Sequence, residues 1–269
     1  YNAFWCGTLY EYCHNPLRDN DEAAMAYKAP DPTRPELYAH LERLVREYGQ
    51  EYYIIGRVHG TIFETAWALR GLDTLMTDFY LNPELTNHLL DETYLYHKEV
   101  VCQMVRRGVD MIWLGDDMGA QASLLIDPDL WREYFKPRMA DIIRTAKAMN
   151  PQVKIAYHTD GCNYDIIPEL IEIGLDVLNP IQTECMDPEI LQEKYGDQLC
   201  FFGGVAVQST LPQGTAEGDS SGISSGWKNS IGKNGGWICA PTHHVQLDTP
   251  MENFFTLLET IGIEDKRKK

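Results

Sequence analysis

The sequence predicts an α/β protein folded as a (β/α)8 TIM barrel, and a few features of the chain lead there. Short apolar runs rich in β-branched and aromatic residues alternate with longer amphipathic stretches, the pattern of strand-helix units around a parallel sheet. Polar residues gather directly after many of the strand candidates, where a barrel builds its site. No glycine-rich fingerprint opens the first unit, as a dinucleotide-binding open sheet would require.

In chain order the strand candidates are residues 52–58, 111–114, 153–157, 177–179, 199–202 and 237–240. Each is short and apolar on both faces, as a strand covered on both sides should be. Helix candidates at 85–108, 130–149 and 190–195 follow Asn82-Pro83-Glu84, Asp127-Pro128-Asp129 and Asp187-Pro188-Glu189. In each triplet a side-chain oxygen can accept a first-turn N–H, proline pre-sets φ, and an acid meets the positive end of the helix dipole. Gly108, Gly174 and Gly196 stand where left-handed C-terminal caps would sit. The run 218–226, GDSSGISSG, reads as a mobile loop where the alternation calls for a helix.

Composition bounds the function. The chain has 269 residues, with 23 Lys+Arg against 40 Asp+Glu and a net charge of −17. No nucleic-acid partner is expected, because a phosphate lattice recruits basic patches and the only basic run is the tail Lys266, Arg267, Lys268, Lys269. With 44% hydrophobic and 11% aromatic residues the chain can bury a large core, so disorder is excluded. One domain over 1–269 is expected, with 1–50 as a covering segment and 51–262 as the barrel. No apolar run is long enough to span a membrane and no signal peptide opens the chain, so a soluble cytoplasmic protein without a membrane partner is expected. Seven cysteines without a CxxC pair read as reduced thiols, with Cys239 a small buried core residue. The first residue is Tyr, not Met, which sets the expectation of a native product extending further toward the N-terminus and a barrel lacking its N-terminal segment here.

The ends of the strand candidates carry the chemistry. His59 follows the first, Asp116 and Asp117 the second, His158-Thr159-Asp160-Gly161 the third, Gln182 the fourth, Gly203-Gly204 the fifth, and His243-His244 the last. If the strands are parallel, these groups converge on one rim. His158 and Asp160, two apart, can share a face, and with His243 or His244 they make a three-ligand set that suits zinc better than calcium. The bland alternative is a hydrogen-bonded histidine in a polar pocket. Asp116 and Asp117 offer one carboxylate to the mouth and one to the flanking loop: a proton donor if apolar walls raise its pKa, a helix cap or loop pin otherwise.

Five stretches, GRVHGTIFETAWALRG, GDDMGAQASLLIDPDLWREYFKPRM, HTDGCNYDIIPELIEIGLDVLNPIQ, FFGGVAVQSTLP and WICAPTHHVQLDTPMEN, run in order through most of the chain. Through them it resembles the uroporphyrinogen decarboxylase superfamily, which holds tetrapyrrole decarboxylases and cobalamin-dependent methyltransferases. The resemblance implies a barrel with its site at the C-terminal mouth. The decarboxylases' substrate-holding arginines and aspartate, in and before the first barrel strand, have no counterpart here, where that acid falls near Asn2 or Ala3. The zinc methyltransferases hold metal through His-x-Cys-Gly and a later cysteine. By the resemblance Asp160 stands for the first cysteine and His243 for the later one, which gives His158, Asp160 and His243 as metal ligands. Oxygen and nitrogen donors make a harder metal than thiolates and fit activation of an ether or alcohol oxygen.

The function expected from this is a methyltransferase of a corrinoid-dependent demethylation system, acting on a methylated small molecule such as an aromatic methyl ether. Its cofactors would be zinc and a corrinoid carried on a partner protein, with a homodimer as its assembly. Asp116, Asp117, His158 and His243 are the expected catalytic residues, and His59, Gln182, Gln208 and His244 the substrate-binding ones. The alternatives are uroporphyrinogen decarboxylase or a related polyacid decarboxylase, and a non-catalytic tetrapyrrole- or corrinoid-binding protein.

Overall fold

The computed structural model describes residues 3–5, 10–12, 14–214 and 235–262. The expected loop at 218–226 and the basic tail at 266–269 lie outside them. Contacts group the chain into two compact units, one of Tyr1–Asp117, Leu125–His158 and Asp165–Leu175, the other of Met118–Leu124, Thr159–Tyr164 and Asp176–Lys269.

The first unit opens with an antiparallel pair, β1 (Ala3–Trp5) and β2 (Tyr10–Tyr12). There follow α1 (Asp21–Ala26), α2 (Ala39–Tyr48), β3 (Ile55–Arg57), α3 (Phe63–Arg70), α4 (Leu72–Leu81), α5 (Pro83–Arg106), β4 (Met111–Gly115), α6 (Pro128–Leu130), α7 (Lys136–Met149), β5 (Lys154–His158) and α8 (Ile167–Glu172). Strands β3, β4 and β5 are parallel neighbours in chain order. The second unit holds β6 (Val177–Ile181), α9 (Pro188–Tyr195), β7 (Cys200–Val205), α10 (Thr210–Gln213), β8 (Trp237–Pro241) and a closing helix, Met251–Thr260. Here β6, β7 and β8 are parallel neighbours, again in chain order. The α/β class with parallel strands therefore stands, and the described residues supply six such strands, not the eight of a closed barrel.

All six strand candidates form, and burial explains the inner ones. Ile112, Leu114, Ile155, Ala156 and Tyr157 are fully buried, and every residue of β6 is buried. The first candidate is corrected: residues 52–58 shrink to Ile55–Arg57, with Ile55 44% and Tyr53 56% exposed. Among the described residues the strand pairs with β4 alone, and it lacks the cover that the apolar run suggested. Strand β8, which among the described residues pairs with β7 alone, likewise keeps Ile238 exposed.

Helix punctuation holds in part. Asp127 accepts a hydrogen bond from the Asp129 N–H at 2.8 Å, and Asp187 accepts from Glu189 and Ile190 at 2.8 and 3.4 Å. Asn82 makes no such cap and instead donates its amide to Asp78 at 2.8 Å. Gly108 and Gly174 adopt positive φ, whereas Gly196 stays right-handed at φ −62°, because α9 runs on into a turn in which Gln198 and Leu199 bond back to Tyr195. The single helix expected at 130–149 is split into α6, a π-turn at Trp131–Phe135 and α7. Pro137 has no N–H to give the carbonyl four residues back, and the ladder changes register around it. Cys239 is half-buried at the rim of a cluster of Val205, Leu211 and Leu257, not within a core. Burial pushes its thiol up to about 11.

The segment expected to cover the barrel lies on α3 and α5. Leu17 and Ala24 pack with Leu85 and Leu89, and the Leu17 N–H bonds Leu69 O at 2.9 Å. Arg70, with a side chain 3% exposed, secures it: Nε donates to Asp78 at 2.7 Å, Nη1 to Leu17 O and Arg18 O at 2.7 and 3.1 Å, and Nη2 to Asp21. Among the described residues no helix is long and apolar enough to cross a membrane.

The Arg70 site yields a stability prediction. Asp78→Ala leaves a buried guanidinium without its buried partner, at an expected cost of about 3–5 kcal/mol. Asp78→Asn keeps the shape and costs less; urea melts of both variants check the order.

Candidate active site

In the first unit, β4 ends at Gly115 and Asp116 follows, fully buried. Its carboxylate accepts from the Ile62 N–H at 2.9 and 3.0 Å and from the Glu64 N–H at 2.9 Å, at the start of α3. Thr61 completes the tie, since its N–H donates to Gly115 O at 2.7 Å and its hydroxyl accepts from the Gly115 N–H at 2.9 Å. Asp116 thus pins the turn after β3 to the end of β4. Burial raises its pKa to about 7, against the opposing pull of the backbone N–H groups. Asp117 is half-exposed and points elsewhere, with Oδ1 3.8 Å from His158 Nε2. Trp113 stacks on the His158 ring at 6.2 Å between centroids.

In the second unit, Thr159 to Tyr164 form a turn fixed by buried polar groups. Asn163 donates its amide to three successive carbonyls, Thr159 at 2.9 Å, Asp160 at 3.1 Å and Gly161 at 3.0 Å. Thr159 donates to the Asn163 side chain at 3.1 Å and accepts from the Met118 N–H at 3.0 Å. Gln182 is buried and accepts from the Gly161 N–H at 2.9 Å. Two glycines make the turn possible: Gly161 has φ +83°, and a side chain on Gly119 would run into the Asp160 carbonyl. The turn presents Asp160 Oδ2 to His243 Nε2 at 3.7 Å, and His244 lies against the His243 ring at 4.7 Å.

Asp160 and His243 form a carboxylate–imidazole pair within the second unit, and His158 ends β5 in the first; each can offer a metal one ligand atom. This is the set the sequence picked out, and its imidazole and carboxylate donors suit zinc. Of the remaining expected residues, Gln182 meets the Asp160 turn, and His59 is exposed and lines a cavity in the first unit. Gln208 is exposed in the turn after β7. Sequence reasoning missed Trp113 and Asn163. An Asn two residues beyond a turn glycine is a signal that could have found the second.

A family model described as uroporphyrinogen decarboxylase (URO-D) matches residues 11–262. The chain belongs to that family. Among curated proteins, one named uroporphyrinogen decarboxylase from Chlorobium luteolum is 28% identical over 138 residues, 51% of this chain and 37% of the relative. Another of that name from Salinibacter ruber is 25% identical over 126 residues, 47% of this chain and 34% of the relative. The matches thus span little more than a third of either relative's length. A solved structure, a methyltransferase from Methanosarcina mazei, shares the fold at a TM-score of 0.74 and 19% identity, covering 94% of this chain and 72% of that one. The likeness to that structure is one of fold.

Asp116 yields a pH prediction. In the unfolded chain it titrates near 3.8 and in the fold near 7, so between those values the folded chain holds a proton that the unfolded chain has released. This group makes stability fall as pH rises through that window. Asp116→Asn lacks the contribution, so the unfolding free energy of wild type minus variant is expected to decline from about pH 4 to about pH 7 in urea melts. A flat or rising difference would show the carboxylate ionised in the fold.

Proposed function

We propose that this chain is the methyltransferase of a corrinoid-dependent demethylation system. It takes a methylated small molecule, such as an aromatic methyl ether, and works with a corrinoid protein as partner. The observation that carries this reading is the pairing of Asp160 Oδ2 with His243 Nε2 at 3.7 Å in the second unit, to which the family resemblance adds His158 at the end of β5. The methyltransferase name of the Methanosarcina mazei structure supports it. Zinc held by these residues would supply Lewis-acid polarisation of a substrate oxygen.

The chain's own residues do the rest. Asp117 Oδ1, 3.8 Å from His158 Nε2, and the Trp113 stack flank the imidazole and favour its orientation. Asn163, Gln182 and the Gly119–Gly161 approach hold the Asp160 carboxylate toward His243 before substrate arrives. Asp116 has no exposed surface to offer a substrate, so its role is to position the turn that carries His59 and Thr61. His59, Gln208 and His244 orient the substrate, with the Gln182 amide N–H as a donor.

A second reading, decarboxylation of uroporphyrinogen or a related polyacid, is favoured by the names of the two curated relatives. Protein purified without chelator or histidine tag separates the two. The first reading expects about one zinc per chain by elemental mass spectrometry, falling at least about tenfold in His158→Ala and His243→Ala. With a reduced corrinoid protein and a panel of methyl ethers, methylcobalamin absorbance should appear in wild type and be lost in His158→Ala. Metal-free protein that releases carbon dioxide from uroporphyrinogen and transfers no methyl group would establish the second reading instead.

A further inference from the structure

The first unit contains a cavity of about 530 Å3 between the covering segment, α3 and α5. No residue of the metal set lines it. Its cover is tied down on both sides. Asn15 donates its amide to Trp67 O and Ala68 O at 3.2 and 3.1 Å, and Arg70 holds the carbonyls of Leu17 and Arg18. Further along, the Ala29 N–H and the Lys28 ammonium both bond Glu92 of α5, at 3.0 and 2.6 Å. Such anchoring makes the space part of the fold, and its volume falls in the range of small-molecule sites.

The lining defines the chemistry. None of its side chains is Asp, Glu, Lys or Arg, in a chain where 23% of residues are. His97 is 7% exposed, its Nδ1 lies 2.9 Å from Thr93 O, and burial lowers its pKa to about 4, so this imidazole is neutral at physiological pH. Tyr96 meets the His97 ring edge-on at 5.0 Å, and Tyr27, Pro16 and Pro30 add ring and apolar surface on the covering side. Rings from the covering segment and from α5 favour a planar guest, and no carboxylate, ammonium or guanidinium lines the space to pair with a desolvated ion.

We infer that the first unit carries a binding site for a neutral, ring-containing small molecule, seated between Tyr96 and His97 of α5 and the covering segment. The site does not rest on the zinc reading: it shares no residue with the metal set, and His59 alone of the proposed substrate-orienting residues lines it.

Calorimetric titration of the full chain with β-naphthol, β-naphthoate and β-naphthylmethylammonium at about pH 7 tests the inference, since the three probes share a ring system and differ in charge. Naphthol is expected to bind at least about tenfold more tightly than either ion. Ala68→Phe places a ring in the cavity from a position only 1% exposed, and Tyr96→Ala removes a wall at a half-buried position that tolerates the loss if the first variant does not fold. Each folded variant is expected to weaken naphthol at least about tenfold. Chelator treatment should leave naphthol affinity unchanged, so loss of zinc and loss of this site are distinguishable. Absence of naphthol binding, equal affinity in wild type and the folded variants, or tighter binding of either ion would overturn the proposal.

Discussion

A buried strand that ends must hand its last backbone polar groups to new partners, and in this chain short polar side chains receive them. Asp116 takes the N–H groups that open α3, Thr61 closes on both backbone groups of Gly115, and Asn163 gathers three carbonyls of the turn after β5. These bonds satisfy the loops and set their directions at once. The same requirement therefore fixes the strand ends and aims the residues proposed for chemistry.

Side chains that satisfy backbone are themselves poor candidates for contact with substrate. Asp116 is the clearest case: its burial raises the pKa in the way a proton donor needs, yet both oxygens are engaged by backbone N–H groups. Asp117, one residue on, has the opposite character, half-exposed and beside His158. A pair of adjacent acids at a strand end thus divides into a structural member and a functional candidate, because successive side chains leave a strand in opposite directions.

The Arg70 cluster does for the covering segment what Asp116 does for the turn. One guanidinium joins α3 to α4 through Asp78 and reaches Leu17, Arg18 and Asp21 of the segment. Its planar fork can do this where an ammonium could not, since it spreads several donors over separate acceptors. The cover then stands off α3 and α5 at a fixed distance, and the cavity between them is a consequence of that spacing.

By itself the sequence determined the α/β class, the order of the six strands, the caps at Asp127 and Asp187, and the histidine and acid types of the candidate metal set. All of these are local signals: apolar periodicity, proline and glycine punctuation, and polar residues just beyond apolar runs. The tertiary structure decided how far β3 is covered, that Asn82 serves Asp78 instead of capping α5, and that Gly196 needs no left-handed turn. It also chose His243 over His244 as the partner of Asp160, assigned Asp116 to the backbone, and revealed Asn163 and Trp113. The reason is common to all of them. Each depends on which groups from distant parts of the chain come within hydrogen-bonding or packing range, and only the folded chain sets those distances.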